Sequence, residues 1–213
     1  MKLFGNYLSP YTRRVAVTLN LYGLPFELEN LSVFVTPDPV KKYNPVVRIP
    51  TLLLDDGDAV FESTVILDAI DELVPESQRM TPANGPDRRH VLRIAATATG
   101  TMDKAVFAFY ERRFHPEEKV HEPWIEHNDA QVQGGLAALN DYAENAGSDG
   151  WLAGGDTLSQ ADVATAIACT FTNKVRPNLS VLETYPALAA FTARCEALPA
   201  FVACPLPDKP PGQ

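Results

Sequence analysis

Cysteine is scarce in this chain, positive charge is outnumbered, and long apolar runs are missing. The three cysteines, Cys169, Cys195 and Cys204, form no C-x-x-C pair and no metal-ligand spacing with the four histidines. A disulfide framework, a dithiol redox pair and a zinc-type centre are therefore not expected, and no metal is assigned. With 18 Lys+Arg against 27 Asp+Glu the net charge is −9, which argues against a nucleic-acid partner, since phosphate binding needs a concentrated basic face. No apolar run approaches the ~18 residues needed to span a bilayer, so no membrane role is expected. The opening MKLFGNYLSPYTRR lacks the order of a signal peptide, which points to a reducing, cytoplasmic setting. What is present, 46% apolar and 21% charged residues over 213 positions, suits one large folded domain or two small ones.

The first eighty residues alternate strand and helix signals. Lys2–Phe4 reads as a strand. Pro10–Tyr22 reads as a helix with Ser9 as N-cap, Pro10 at the first position, Val15, Ala16, Leu19 and Tyr22 on one face, and Gly23 as the stop. Phe26–Leu31 is a second strand. Two short apolar runs flank Asp56-Gly57, a hairpin signal, and Ser63 reads as the cap of a helix to about Leu73 with Val65, Ile66, Ala69, Ile70 and Leu73 facing inward. That order implies a small mixed sheet with helices packed on it.

Residues 79–87 read as a linker, rich in proline without periodicity. Beyond it strand signals vanish. Helical spacing runs through 88–114, 119–145, 159–175 and 185–198, with Gly100 a candidate kink. Ser159 and Asp162 have capping-box spacing, and Trp124, Val132, Leu136 and Leu139 share a face. The bounds expected are 1–78 for the first domain, 88–204 for a helical domain and 205–213 for a flexible tail.

Three places in the first domain combine turn chemistry with polar groups. Ser9 opens a helix, where unpaired N–H groups and the dipole favour a bound anion; a plain N-cap explains it equally. Ile49-Pro50 is an X-Pro bond between loop and strand, where a cis peptide would turn the Ile49 N–H and C=O outward to receive another peptide; a trans proline opening an edge strand is the alternative. Glu62-Ser63 begins a helix that can hold a carboxylate, with Glu62 free to accept from an ammonium; an ordinary cap also accounts for it.

Taken together and in order, these motifs resemble the cytosolic glutathione transferases, and in particular bacterial serine-type members. The matching stretches are Ser-Pro-Tyr-Thr-Arg-Arg-Val at 9–15, Asn44-Pro45 with Arg48-Ile49-Pro50-Thr51-Leu52, and Phe61-Glu62-Ser63 with Ile66-Leu67. Leu-Ser-Gln-Ala-Asp-Val at 158–163, Tyr185-Pro186-Ala187-Leu188 and Leu198-Pro199-Ala200-Phe201 extend the match into the second half. The resemblance implies an α/β thioredoxin-like N-terminal domain followed by an all-α domain, and a homodimer across helices 63–73 and 88–114. It implies glutathione as co-substrate, conjugated to a small hydrophobic electrophile in detoxification, with a non-catalytic carrier, an isomerase or a peroxidase as alternatives.

The resemblance also assigns residues. Ser9 would hold the glutathione thiolate, with Tyr7 at the end of the first strand as its rival. Ser9 and Thr12 stand where thioredoxin folds carry their two cysteines, so disulfide chemistry is not implied. Ile49 before a cis Pro50 would bind the cysteinyl backbone, Glu62 and Ser63 the γ-glutamyl end, and Arg48 with Lys41 or Lys42 the glycyl side. Tyr11, Phe107, Tyr110 and Phe114 would line the electrophile site between the domains. Where the family often has glycine between Asn-Pro and the basic residue, this chain has Val46-Val47.

Overall fold

The computed structural model describes residues 1–209 and 211. It contains the expected thioredoxin-like α/β arrangement followed by an all-helical one. Strands β1 (Lys2–Gly5), β2 (Glu27–Asn30), β3 (Thr51–Leu53) and β4 (Ala59–Phe61) form a mixed sheet in the order β2-β1-β3-β4. Parallel β1 and β2 are joined through helix α1 (Pro10–Leu21), while β3 runs antiparallel to both β1 and β4. Short helix α2 (Asp38–Lys41) precedes β3, and α3 (Ser63–Asp71) follows β4. Leu3, Leu52, Val15, Ala16, Leu19, Ile66 and Ile70 are fully buried and form the apolar centre of this unit.

One register matters for function. Phe4 pairs with Thr51, and Thr51 with Phe61. The turn after β1, the loop before β3 and the turn after β4 therefore all leave the sheet from the same end. The hairpin closing β3 to β4 places Gly57 at φ +91° and is a five-residue loop, with the Leu54 N–H donating to the Asp58 carbonyl at 2.8 Å.

Helix α3 rotates differently from the sequence expectation. Its inward residues are Ser63, Ile66, Leu67 and Ile70, whereas Val65 is 53% and Leu73 49% exposed. Both sets are contiguous helical faces that share Ile66 and Ile70, and the buried one, 63, 66, 67 and 70, is turned away from Val65 and Leu73 toward Ser63 and Leu67. Its cap differs too. Glu62, not Ser63, is the N-cap, and its carboxylate accepts from the Thr64 N–H at 3.1 Å.

The second unit contains α4 (Gly85–Phe114), α5 (Glu122–Ala146), α6 (Gln160–Val175), α7 (Val181–Thr184) and α8 (Pro186–Glu196). Gly100 does not interrupt α4. Trp124, expected on the inner face of α5, is exposed and stacks on His127 with ring centroids 5.6 Å apart. The capping box at α6 is complete: Asp162 Oδ2 accepts from the Ser159 N–H at 2.7 Å, and Ser159 Oγ accepts from the Ala161 N–H at 3.2 Å. Asp162 Oδ1 also accepts from the Leu152 N–H at 2.8 Å, tying the preceding loop to the helix start. Burial raises the Asp162 carboxyl pKa against these hydrogen bonds. Ser159→Ala should cost about 1 kcal/mol of stability, seen as a lower denaturant midpoint at unchanged slope; a wild-type midpoint would show that Asp162 alone holds the cap.

Packing divides the chain differently from composition. Met1–Ala83 and the described residues from Ala197 onward form one unit, and Asn84–Glu196 the other. Residues 79–83, read as linker, join the first unit because the Met80 N–H donates to the Tyr22 hydroxyl at 2.7 Å, and that hydroxyl in turn is bonded to Asp71. Helix α9 (Pro199–Val202), placed by sequence with the helical domain, packs on α1 instead. Of the tail read at 205–213, residues 210, 212 and 213 lie outside the described residues.

Candidate functional site

Ser9 caps α1 with extended backbone (φ −68°, ψ 115°), and its Oγ accepts from the Thr12 N–H at 3.3 Å. No acceptor among the described residues takes the Ser9 hydroxyl proton. A hydroxyl polarised from behind by a backbone N–H, with its own proton uncommitted at a helix start, is a donor for an anion. The turn that presents it is built by Asn6, which sequence reasoning did not single out. Asn6 Oδ1 accepts from the Leu8 and Ser9 N–H groups at 3.1 and 3.3 Å, while its Nδ2 donates to the Leu31 carbonyl at 2.8 Å. An Asn followed within a few residues by Ser-Pro is the side-chain-capped turn signal that would have found it. Gly5 completes the turn: its φ is +149°, and a Cβ there would stand 2.8 Å from Thr12 Cγ2.

Tyr7, the rival of Ser9, is half-buried, with its hydroxyl next to the side chain of Cys204. Burial first, and the neighbouring Cys204 second, push its pKa above the ordinary phenol value. Tyr11 sits half-buried in the first turn of α1.

The loop before β3 is organised by Asn44, which is fully buried. Its Nδ2 donates to the Arg48 carbonyl at 3.0 Å and to Thr51 Oγ1 at 3.1 Å, and its Oδ1 accepts from the Val46 N–H at 2.9 Å. The Ile49–Pro50 bond is cis. No hydrogen bond among the described residues engages the Ile49 backbone N–H or C=O. Val47 has φ +55°, the left-handed region that β-branched residues avoid, at the stretch where the family often has glycine. The loop keeps its shape through the Asn44 bonds despite that cost. The Arg48 side chain is exposed, as is Lys42, whereas Lys41 is paired with Asp38 at 3.0 Å.

At the third place Glu62 is also strained, with φ +73° and ψ 126°. Strain of this kind costs on the order of 1–3 kcal/mol and concentrates at functional sites. The Ser63 hydroxyl donates to Glu62 Oε1 at 3.2 Å, and Ser63 itself is buried. The Glu62 carboxylate acts electrostatically on Arg14, only 3% exposed, whose Nε and Nη1 have no hydrogen-bond partner among the described residues. Burial lowers the Arg14 pKa to about 10, and the Glu62 carboxylate opposes that shift. A buried cation with unsatisfied donors gives this end of the sheet a positive field suited to anions.

Comparison with known proteins decides the family. Residues 3–78 match the glutathione S-transferase N-terminal domain, and residues 101–199 the glutathione S-transferase C-terminal domain. The chain belongs to the glutathione S-transferase family. It is 29% identical over 173 residues to the GST-like protein YibF of Escherichia coli, covering 81% of this chain and 82% of that one. It is 30% identical over 175 residues to a maleylacetoacetate isomerase of Pseudomonas aeruginosa, covering 76% and 77%. A glutathione transferase family member from Pseudomonas fluorescens, crystallised with bound glutathione, superposes with a TM-score of 0.84 at 29% identity over 97% of this chain and 98% of that one.

Within this transferase fold the remaining sequence candidates fall on the second unit. Phe107, Tyr110 and Phe114 lie along one side of α4 at 48%, 37% and 47% exposure, so helix packing does not account for them. The Tyr110 and Phe114 rings meet edge-on at 5.0 Å. His115, His121 and His127 are exposed, and among the described residues no group of three His, Cys, Asp or Glu is placed to hold a metal. All three cysteines are buried, and burial pushes the Cys169 thiol up to about 11 and the Cys195 thiol up to about 12. Neither is a nucleophile at neutral pH. Among the described residues no helix is long and apolar enough to cross a membrane.

Proposed function

We propose that this protein is a serine-type glutathione transferase, which binds glutathione, holds its sulfur as a thiolate beside Ser9 and presents it to an apolar electrophile. The observation that carries this reading is the Ser9 hydroxyl, backed by the Thr12 N–H and with its proton uncommitted, in a chain of this family. Lowering a thiol pKa by two units needs ~2.7 kcal/mol of differential stabilisation. One hydrogen bond to a charged group contributes ~1.5–3 kcal/mol and a helix start up to ~2, which together suffice without a general base. The Ile49 backbone groups are available to pair with the cysteinyl residue in strand fashion. Glu62 and Ser63 take the γ-glutamyl ammonium and carboxylate, and Arg48 and Lys42 face the glycyl carboxylate. Tyr11, Phe107, Tyr110 and Phe114 supply apolar surface for the electrophile. The thiolate, its proton passed to solvent, forms the new C–S bond while the electrophile's leaving group departs with its bonding pair, halide to solvent in the case of an activated aryl halide, and no covalent enzyme intermediate is involved.

The exposed Val65 and Leu73 fit a homodimer that covers α3. A cytoplasmic place and a role in detoxification complete the reading. Glutathione-dependent isomerisation is the second reading, favoured by the 30% identity to a maleylacetoacetate isomerase. Titration with glutathione, followed by turnover assays with an activated aryl halide, an organic hydroperoxide and a maleyl-type diketo acid, separates these. Saturable binding with the highest rate on the aryl halide is the expected result. A preference for the maleyl compound selects the isomerase, binding without turnover makes the protein a carrier, and no binding ends the reading.

A further inference from the structure

The stretch 197–204 is fastened to the helix that Ser9 begins. Cys204 is fully buried, and its carbonyl accepts from Arg13 Nε at 2.8 Å. Its sulfur accepts from Asn20 Nδ2 at 3.2 Å, and its side chain meets the half-buried Tyr7 hydroxyl. Asn20 Nδ2 also donates to the Ala200 carbonyl at 3.3 Å, and the fully buried Phe201 lies 6.0 Å from the Arg13 guanidinium. Arg13 in turn donates its backbone N–H to the Ser9 carbonyl at 2.9 Å. One residue near the chain's end is thus tied both two positions before Ser9 and four positions after it.

Simple packing does not call for this chemistry. Burying a guanidinium, an amide and a phenol carries a desolvation cost that an apolar seam of the same shape would avoid. Directional bonds do what apolar contacts cannot, which is to fix one group relative to another within tenths of an ångström. The group they bracket is the hydroxyl whose bond to sulfur depends on such placement.

We propose that residues 197–204 form a strap that sets the position of the Ser9 hydroxyl, with Tyr7 and Arg13 acting as positioning residues through Cys204. This rests on the reading of Ser9 as donor to the thiolate. It gives Tyr7 a role that does not require contact with the sulfur, and gives the chain's C-terminal stretch a share in tuning the nucleophile.

A double-mutant cycle tests it. The pKa of the glutathione thiol bound to the full-length enzyme is read from thiolate ultraviolet absorbance in wild type, Tyr7→Phe, Cys204→Ala and the double variant. Each single change should raise that pKa by ~0.5–1 unit, and the double should raise it no further than the larger single, since both cut the same tether. Cys204→Ser, which keeps a hydrogen-bonding group, should restore most of the wild-type value. Summed shifts in the double variant would mean that Tyr7 meets the sulfur itself, and wild-type values in both singles would mean that the strap only packs; either result overturns the proposal. Ser9→Ala is measured alongside. If its bound thiol titrates as in wild type, the underlying reading fails and the proposal with it, whereas a shifted Ser9→Ala beside unshifted strap variants removes the strap alone. Should Cys204→Ala not fold, Cys204→Val against Cys204→Ser carries the same comparison.

Discussion

Alanine in place of Ser9 should lower turnover about 10–100-fold and raise the bound thiol's pKa by about 1–2 units, with glutathione affinity nearly kept. Alanine removes two interactions: the Thr12 N–H loses its acceptor, which costs about 1 kcal/mol of stability, and the proposed outward O–H bond to the thiolate is lost. The α1 start and the Arg14 field remain, which leaves residual activity well above the uncatalysed rate. The sign of the pH effect follows: with less stabilisation of the charged form, the thiol ionises at higher pH, and the rising limb of kcat/KM moves to alkaline values. In the proposed binding mode the tripeptide's ends are held by other residues, so KM for glutathione should change little. The pH–rate profile is the deciding measurement. An unmoved rising limb would pass the role to Tyr7, whose hydroxyl would first have to leave Cys204.

Glu62→Gln should weaken glutathione binding about 10–100-fold, the scale of a charge-assisted hydrogen bond to the γ-glutamyl ammonium. Glutamine is the informative choice because its amide oxygen can still accept from the Thr64 N–H and keep α3 capped, so that charge rather than helix start is tested. Calorimetric titration with glutathione, and with an analogue lacking the γ-glutamyl amino group, separates this contact from the rest. Wild type should discriminate strongly between the two ligands and the variant hardly at all. Equal discrimination by both proteins would take Glu62 out of the site. A smaller loss of stability should accompany the change, because Glu62 offsets the burial of the Arg14 guanidinium.

Both experiments act on residues that were legible in the sequence, because their positions follow local rules. Ser9 before Pro10 is a cap-and-first-turn signal, Ile49-Pro50 is an X-Pro bond at a loop–strand junction, and Ser159 with Asp162 is a capping box complete within four residues. Local rules also erred locally. Ser63 looked like the cap of α3 because serine is the commoner choice, but a glutamate at φ +73° takes the cap position one residue earlier, its longer side chain accepting from the Thr64 N–H. Val65 and Leu73 looked buried because they are apolar, although α1 and the sheet cover only the 63-66-67-70 stripe.

Sequence alone determined the order of the main strands and helices, the change from alternating to all-helical halves, and the α1 start at Ser9 that carries the candidate chemistry. Each of these depends on residues a few positions apart, whose backbone preferences act before any long-range packing exists. Tertiary structure alone decided that Phe4, Thr51 and Phe61 stand in register and so bring three loops to one end of the sheet. It likewise decided that the Tyr7 hydroxyl turns to Cys204, 197 positions along the chain, and that Arg14 is buried with no hydrogen-bond partner for Nε and Nη1 among the described residues. Side-chain direction and burial are set by what the folded chain packs against each residue, and no spacing rule carries that over such distances.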